Sequence, residues 1–318
     1  MFEPIKSHIS PIAFLILAHT EPALLRRLAL ALHAPWARFF IHVDRKSDIA
    51  AFKAALWDIP GIVLIDERIK VHWGGWSMVK ATLNLLEAAI RASPPAQRFV
   101  LLSGACYPIR DNTTLRDFLL KNDKEYIDAV KMPNEEEGKP LSLLTQWHFE
   151  RGHRAFGPVA FVIQQINKLG CLVPYRNVRK GLNGRIPYAG STWWALTRGT
   201  AEEILRVANA EPQFVRLYKY SACPDESFFH TILLNGARKN NICRSLTYVD
   251  WPHSTDSPCA INEGHLPLLL SSSTAENAQP IFFARKFSAK NVHILDRIDE
   301  YRCASSTIRQ ASSNDANH

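Results

Sequence analysis

Short apolar runs alternate with amphipathic stretches through roughly the first 120 residues of the 318-residue chain. Ala13–Ala18 is unbroken apolar, as in a strand buried on both faces. Leu24, Leu25, Leu28 and Leu32 then recur at helical spacing over Pro22–Leu32. Arg38–Val43 predicts a second strand, Phe52–Trp57 a helix and Ile62–Ile65 a third strand. Ser77 has the chemistry of an N-cap for a long helix, Met78–Arg91, which Pro94-Pro95 closes. Phe99–Leu102 predicts a fourth strand, and Asn112 opens a helix to about Lys121. The alternation predicts an α/β fold, a mainly parallel sheet sandwiched by helices. Residues 131–185 lose this rhythm. Tyr188–Thr197 returns to strand character, Thr200–Val207 reads as a helix, and Leu246–Trp251 as a late strand. The tail, 303–318, is rich in Ser, Asn and Asp and predicts disorder.

In such sheets ligands bind beyond the carboxyl ends of the strands. Polar residues fall there: His19 after the first strand, Asp44 after the second, Ser103 and Gly104 after the fourth. No Gly-x-Gly-x-x-Gly or Gly-x-x-x-x-Gly-Lys occurs, so dinucleotide and P-loop readings lack support. Asp44 suits hydrogen bonding to a base or ribose, and equally the start of a turn over Asp44–Asp48. Trp73-Gly74-Gly75-Trp76 forms a loop before a helix, and its glycines permit close backbone approach. Its tryptophans offer flat faces to a ring, although packing of the loop itself is their commoner use.

The stretch Tyr220–Asn235 carries the sharpest signal. Pro224 suits a first helical turn, and Asp225 and Glu226 favour its positive end. Phe228, Phe229, Ile232 and Leu233 then repeat as one apolar face. A carboxylate held this rigidly has what a general base needs, while ordinary capping accounts for the same acids. Trp193 and Trp194 are neighbours, so in a strand they point to opposite faces, and one can pack the core while the other faces a sugar. Arg285-Lys286 lies among Phe282, Phe283 and Phe287. A guanidinium fork beside an ammonium point charge suits a diphosphate; the alternative is a solvated basic pair, against which the flanking aromatics argue.

Hydrophobic content of 47% and charged content of 21% describe an ordinary globular protein. The longest apolar run near the N-terminus, Ile12–Ala18, is far short of a membrane span. Net charge is +8, which fits nucleic acid, an acidic membrane face or an anionic small substrate. The cations are dispersed, with no run of five or six, so no nucleic-acid patch stands out. The six cysteines, Cys171 among them, form no Cys-x-x-Cys pair and read as reduced, mostly buried thiols. His148 and His153 have no carboxylate or cysteine at a metal spacing and read as solvated or core histidines.

Seven fragments in order give the chain a family likeness. They are Leu17-Ala18-His19, Ile41-His42-Val43-Asp44, Trp73-Gly74-Gly75-Trp76-Ser77, Leu102-Ser103-Gly104 with Tyr107-Pro108, Gly190-Ser191-Thr192-Trp193-Trp194, the acidic helix start at Asp225-Glu226, and Phe283-Ala284-Arg285-Lys286-Phe287. From about residue 13 to 300 the chain resembles the core-2/I-branching glycosyltransferases. The run Glu226-Ser227-Phe228-Phe229-His230-Thr231 is closest to their peptide O-xylosyltransferase branch.

The resemblance implies a GT-A-like, Rossmann-like catalytic domain over 1–302, with 131–185 an insertion that helps choose the acceptor. It implies an inverting, metal-independent transferase moving N-acetylglucosamine or xylose from a UDP-sugar to a carbohydrate, glycolipid or peptide hydroxyl. Glu226 would be the base, and Asp225 and Trp193 would line the substrate pocket. His19, Asp44, Trp73, Gly74, Gly75, Ser103, Arg285 and Lys286 would hold the donor. The chain contains no Asp-x-Asp, the usual metal-binding pair of nucleotide-sugar enzymes, so no metal and no cofactor is expected. Thr192 stands where resembling xylosyltransferases carry aspartate, which counts against a xylosyl donor. Resembling animal enzymes carry an anchor and stem; this chain begins almost at its first strand, so a bacterial, cytoplasmic protein is expected, and its basic surface fits peripheral docking on an anionic inner membrane. The competing classes are a non-catalytic UDP-sugar-binding protein and a basic nucleic-acid-binding domain.

Overall fold

The computed structural model describes residues 11–150, 157–169, 176–251, 257–271 and 280–315. Cys171 and His153 lie outside these residues. The strands are β1 (Ile12–Ala18), β2 (Ala37–Val43), β3 (Ile62–Leu64), β4 (Arg98–Ser103), β5 (Tyr107–Pro108), β6 (Glu125–Tyr126), β7 (Ala129–Lys131), β8 (Tyr188–Gly190), β9 (Ala195–Thr197), β10 (Ile242–Cys243), β11 (Thr247–Val249) and β12 (Phe283–Arg285). A seven-stranded sheet runs in the order β10-β6-β9-β4-β1-β2-β3. Its pairs are parallel except those that β9 makes with β4 and β6. A second sheet, β11-β12-β5, and a β7-β8 ribbon complete the strands.

The helices are α1 (Pro22–Leu32), α2 (Ile49–Leu56), α3 (Trp76–Arg91), α4 (Asn112–Leu120), α5 (Ser142–Thr145), α6 (Pro158–Leu169), α7 (Val178–Leu182), α8 (Arg198–Ala210), α9 (Pro212–Lys219), α10 (Phe228–Asn235), α11 (Leu266–Leu270) and α12 (Val292–Asp315). β1 shows why the sheet needs helices on both faces. Ile12, Phe14, Ile16 and Ala18 enter one core with α1 and α2, while Ala13, Leu15 and Leu17 enter the other with α3, α8 and α10. Successive side chains point to opposite faces, so a strand covered on both sides reads as continuous apolar sequence. This is the mainly parallel α/β architecture expected from the alternation.

Four expectations change. α3 begins at Trp76, and Ser77 lies inside it rather than capping it. Its oxygen instead accepts from the His72 amide (2.7 Å), while Glu150 accepts from the Ser77 amide (2.8 Å). The stretch Tyr188–Thr197 is two short strands, β8 and β9, because Trp193 and Trp194 turn between two sheets. α12 continues to Asp315, so the segment after Arg302 is helical where composition pointed to disorder. Arg302 anchors that helix by donating to the carbonyls of Ala31 and Arg110. Lastly, the described cysteines are free as expected, but Cys106 alone among them is buried and Cys303 is exposed.

Candidate active site

β1, β2 and β4 run parallel, so their carboxyl ends share one edge. The Asp44 amide donates to Ala18 O (2.8 Å), and the Gly104 amide to Leu17 O (2.9 Å). These bonds bring His19, Asp44 and Ser103 to the same end of the sheet. Asp44 is buried and serves its own turn, accepting from the Lys46 amide at 2.8 Å, with Lys46 Nζ 3.4 Å from its other oxygen. Ser103 is likewise engaged locally: its oxygen accepts from the Ala105 amide (3.2 Å) and lies 3.3 Å from Cys106 Sγ. β12 reaches this edge because the Phe287 amide donates to Ala105 O (2.9 Å). His19 stays exposed at the rim, yet desolvation lowers its pKa; Asp44 opposes that shift, and Lys286, Lys46 and Arg285 add to it. Arg285 and Lys286 therefore do converge with His19 and Asp44.

The adjacent cations differ in setting. Lys286 is exposed. The Arg285 guanidinium stacks over the Trp193 ring, 4.3 Å from its centroid, and its buried Nε has no hydrogen-bond partner among the described residues. Burial pulls its pKa below the ordinary guanidinium value. Buried donors are normally satisfied, and a buried charge normally has a counter-charge. Trp193 is itself buried, so it supports the cation rather than offering an open face to a sugar, which corrects the expected division of roles. Its neighbour Trp194 packs on Phe229 with ring centroids 5.8 Å apart, as a core residue.

The acid end departs from a simple helix start. Pro224–Glu226 is a separate 3-10 turn, and α10 begins only at Phe228, after Ser227 takes a non-helical conformation. The turn is entered through Cys223 at φ 44, whose amide donates to Gly74 O (2.9 Å). α10 is buried around more of its surface than one apolar face, since His230 and Thr231 are enclosed with Phe228 and Phe229. Asp225 is buried and accepts from Thr192 Oγ1 at 2.9 Å. Burial, then the neighbouring Glu226 charge, push its pKa up to about 7. Glu226 is a quarter exposed, and its Oε2 is held by Lys139 Nζ at 2.5 Å.

Residues 192 and 193 tie the two ends together. Thr192 bonds the acid turn while Trp193, next in the chain, carries Arg285. The Trp73–Ser77 loop spans the same gap. Lys46 Nζ donates to Val71 O (2.6 Å) at its approach, and Gly74 O receives the Cys223 amide at the other side. Gly74 has φ 69, a conformation that favours glycine. At Gly75 the requirement is space: a Cβ there would lie 2.2 Å from Glu150 Cβ. Trp76 packs edge-on against Phe228 (5.2 Å between centroids) and is half-buried against the core, whereas Trp73 is exposed.

Lys139, Lys46 and Glu150 were not legible as site residues. The Asn134–Gly138 charged loop next to Lys139 was the one available cue, and it names no target.

The raised Asp225 pKa has a consequence for stability. Between the unfolded carboxyl value and about 7 the folded protein holds a proton that the unfolded chain has released, so stability falls as pH rises through this window. Asp225→Asn removes that dependence. Thermal melts from pH 5 to pH 8 should show the variant gaining on the parent protein as pH rises; parallel curves would mean that Asp225 ionises normally.

A stacked guanidinium with an unpaired Nε at the strand ends and an acid turn one residue step away define a candidate group-transfer site on an α/β scaffold. Comparison with known proteins gives that scaffold a family. The core-2/I-branching enzyme family matches residues 12–150 and 182–272, more than half of the chain, and the protein belongs to that family. Human beta-1,3-galactosyl-O-glycosyl-glycoprotein beta-1,6-N-acetylglucosaminyltransferase 3 is 26% identical over 230 residues, 70% of this chain and 47% of that protein. Rat xylosyltransferase 2 is 26% identical over 316 residues, 93% of this chain and 34% of the relative. Human xylosyltransferase 2 is 27% identical over 307 residues, 91% and 33% respectively. The chain thus spans between a third and a half of the length of these relatives.

Proposed function

We propose that the protein is an inverting glycosyltransferase that moves N-acetylglucosamine or xylose from a UDP-sugar to an acceptor hydroxyl, and that it needs no metal. The observation that carries this reading is the partly buried Arg285 guanidinium, stacked on Trp193 and lacking a partner for its buried Nε, at the carboxyl ends of the strands, where such sheets bind ligands. A diphosphate is the kind of group that satisfies such a cation in a bidentate way. Family membership and the transferase names of the relatives support sugar transfer.

In this mechanism Lys139 fixes one oxygen of Glu226, Oε2, and the other is left for an acceptor hydroxyl. Glu226 takes the hydroxyl proton as the acceptor oxygen bonds to the anomeric carbon and the carbon–oxygen bond to UDP breaks on the opposite face. Displacement from the far side turns an α-linked donor into a β-linked product. Arg285 and Lys286 receive the charge that grows on the leaving diphosphate, the role a metal plays elsewhere. Asp225, hydrogen-bonded to Thr192, holds the turn that aims Glu226. The acceptor is a carbohydrate, glycolipid or peptide.

UDP release over a panel of UDP-sugars, in excess EDTA with candidate acceptors, tests this. Release from one sugar supports the reading and names the donor. Release restored only by manganese would refute metal independence. UDP binding without release under any acceptor would make the protein a nucleotide-sugar-binding module, and absence of UDP binding would end the reading.

A further inference from the structure

α6 presents a face that no other described element covers. Val159, Val162, Ile166 and Leu169 recur along one side of the helix and are 68%, 55%, 45% and 55% exposed; Phe161, beside them, is 61% exposed. One flank of this stripe is docked on the protein. Ala160 is buried, and Ile163 joins Ile166, Trp76, Phe149 and Tyr220 around an apolar cavity of about 290 Å³. A helix normally turns its apolar stripe to the core; in α6 only the flank that carries Ala160 and Ile163 is turned inward, and the rest of the stripe is exposed. The helix also falls in residues 151–181, which the family match leaves out.

α9 meets α6 at the cavity, and the two helices carry Lys168, Arg216 and Lys219 and neither Asp nor Glu. Lys219 lines the same cavity as Ile166, and Arg216, one turn earlier, lines with it the adjoining hollow of about 410 Å³. Glu150, the carboxylate in the cavity wall, is turned inward onto the Ser77 amide (2.8 Å).

We propose that α6, with the cations of α9, docks on the surface of an anionic lipid bilayer. An exposed apolar stripe rewards burial among acyl chains, and the cations of α6 and α9 reward anionic headgroups; together they are the two contributions that hold an interfacial helix. No described helix is long and apolar enough to cross a membrane, so the contact lies along the surface. Trp76 lines the cavity and packs on Phe228, and the loop it ends meets the acid turn through Gly74 and Cys223. Docking therefore brings the Glu226 end of the site near the bilayer, where an acceptor carried on a lipid is presented.

Co-sedimentation of the full chain with vesicles is the test. Phosphatidylcholine vesicles containing phosphatidylglycerol should retain the protein at low salt, with at least about tenfold stronger partitioning than phosphatidylcholine alone, and release it at high salt. Val159→Glu with Val162→Glu should cut partitioning about tenfold. Both positions are exposed and Val159 lies in the first turn, where glutamate favours the helix, and circular dichroism checks that the fold is kept. Arg216→Glu with Lys219→Glu, on a different element, gives an independent second test with the same expected loss. Failure to bind either vesicle, or unchanged binding by both double variants, would overturn the proposal. So would a concentration-dependent dimer of the parent protein that Val159→Glu/Val162→Glu dissolves, since a second copy would then own the face. The readout is partitioning, so it stands or falls apart from sugar transfer.

Discussion

Glu226→Gln should lower the transfer rate by about 10²–10⁴-fold while leaving UDP-sugar affinity within a few fold of the parent. Glutamine keeps the shape of the side chain and can still meet Lys139 through its oxygen, but it cannot accept the acceptor proton. Glu226 lies on the 3-10 turn, and the described contacts put Arg285 on Trp193 rather than on that turn. The donor end should therefore survive the change. Initial rates with saturating donor, beside calorimetric UDP binding, separate the two effects. Near-normal turnover would remove Glu226 from the mechanism. A joint loss of rate and donor binding would make it a structural residue, with Lys139, only 18% exposed, left without its partner.

Arg285→Met should act in the opposite sense on stability and on function. Removing a cation whose Nε is buried and unpaired relieves a desolvation cost, so a well-packed apolar replacement should leave the unliganded melting temperature unchanged or raised. Transfer should fall by about 10²–10³-fold, because the charge on the leaving diphosphate loses its nearest support. The rise in melting temperature that UDP gives the parent should shrink with it. Arg285→Lys keeps a charge but loses the fork and the planar stack on Trp193, so it should recover part of the rate. If Arg285→Met melted well below the parent while turning over normally, the guanidinium would be structural and the diphosphate clamp would belong elsewhere.

The two acids, the basic pair and the strand ends were all legible in the sequence because each is a local pattern. Proline before two acids, adjacent cations among phenylalanines, and polar residues closing apolar runs can all be read within a few residues. The same holds for the core elements: α1 was placed at its observed bounds, and β2, β4 and α4 within one or two residues. Local signals failed where a distant partner set the backbone. A helix straight through Pro224 to Asn235 was the natural reading of its periodicity. It breaks at Ser227 because Cys223 is held to Gly74 and Asp225 to Thr192, so the turn answers to two remote loops. Ser77 lost its expected capping role in the same way, to Glu150, 73 residues away.

By itself the sequence determined the order of the main strands and helices through about residue 120, the two-sided burial of the central strands, and the chemical kinds of residue available at the sheet edge. Periods of two and 3.6 and the length of apolar runs carry that information over a handful of residues. The tertiary structure alone decided which of those residues meet. Lys139 reaches Glu226 across 87 positions, Trp193 becomes the bed for Arg285, and α6 keeps its outer stripe uncovered. These pairings follow from the sheet order β10-β6-β9-β4-β1-β2-β3, in which chain neighbours and spatial neighbours part company after β3. No local period encodes that order, because it is set by which packing of the whole chain buries both faces of the sheet at once.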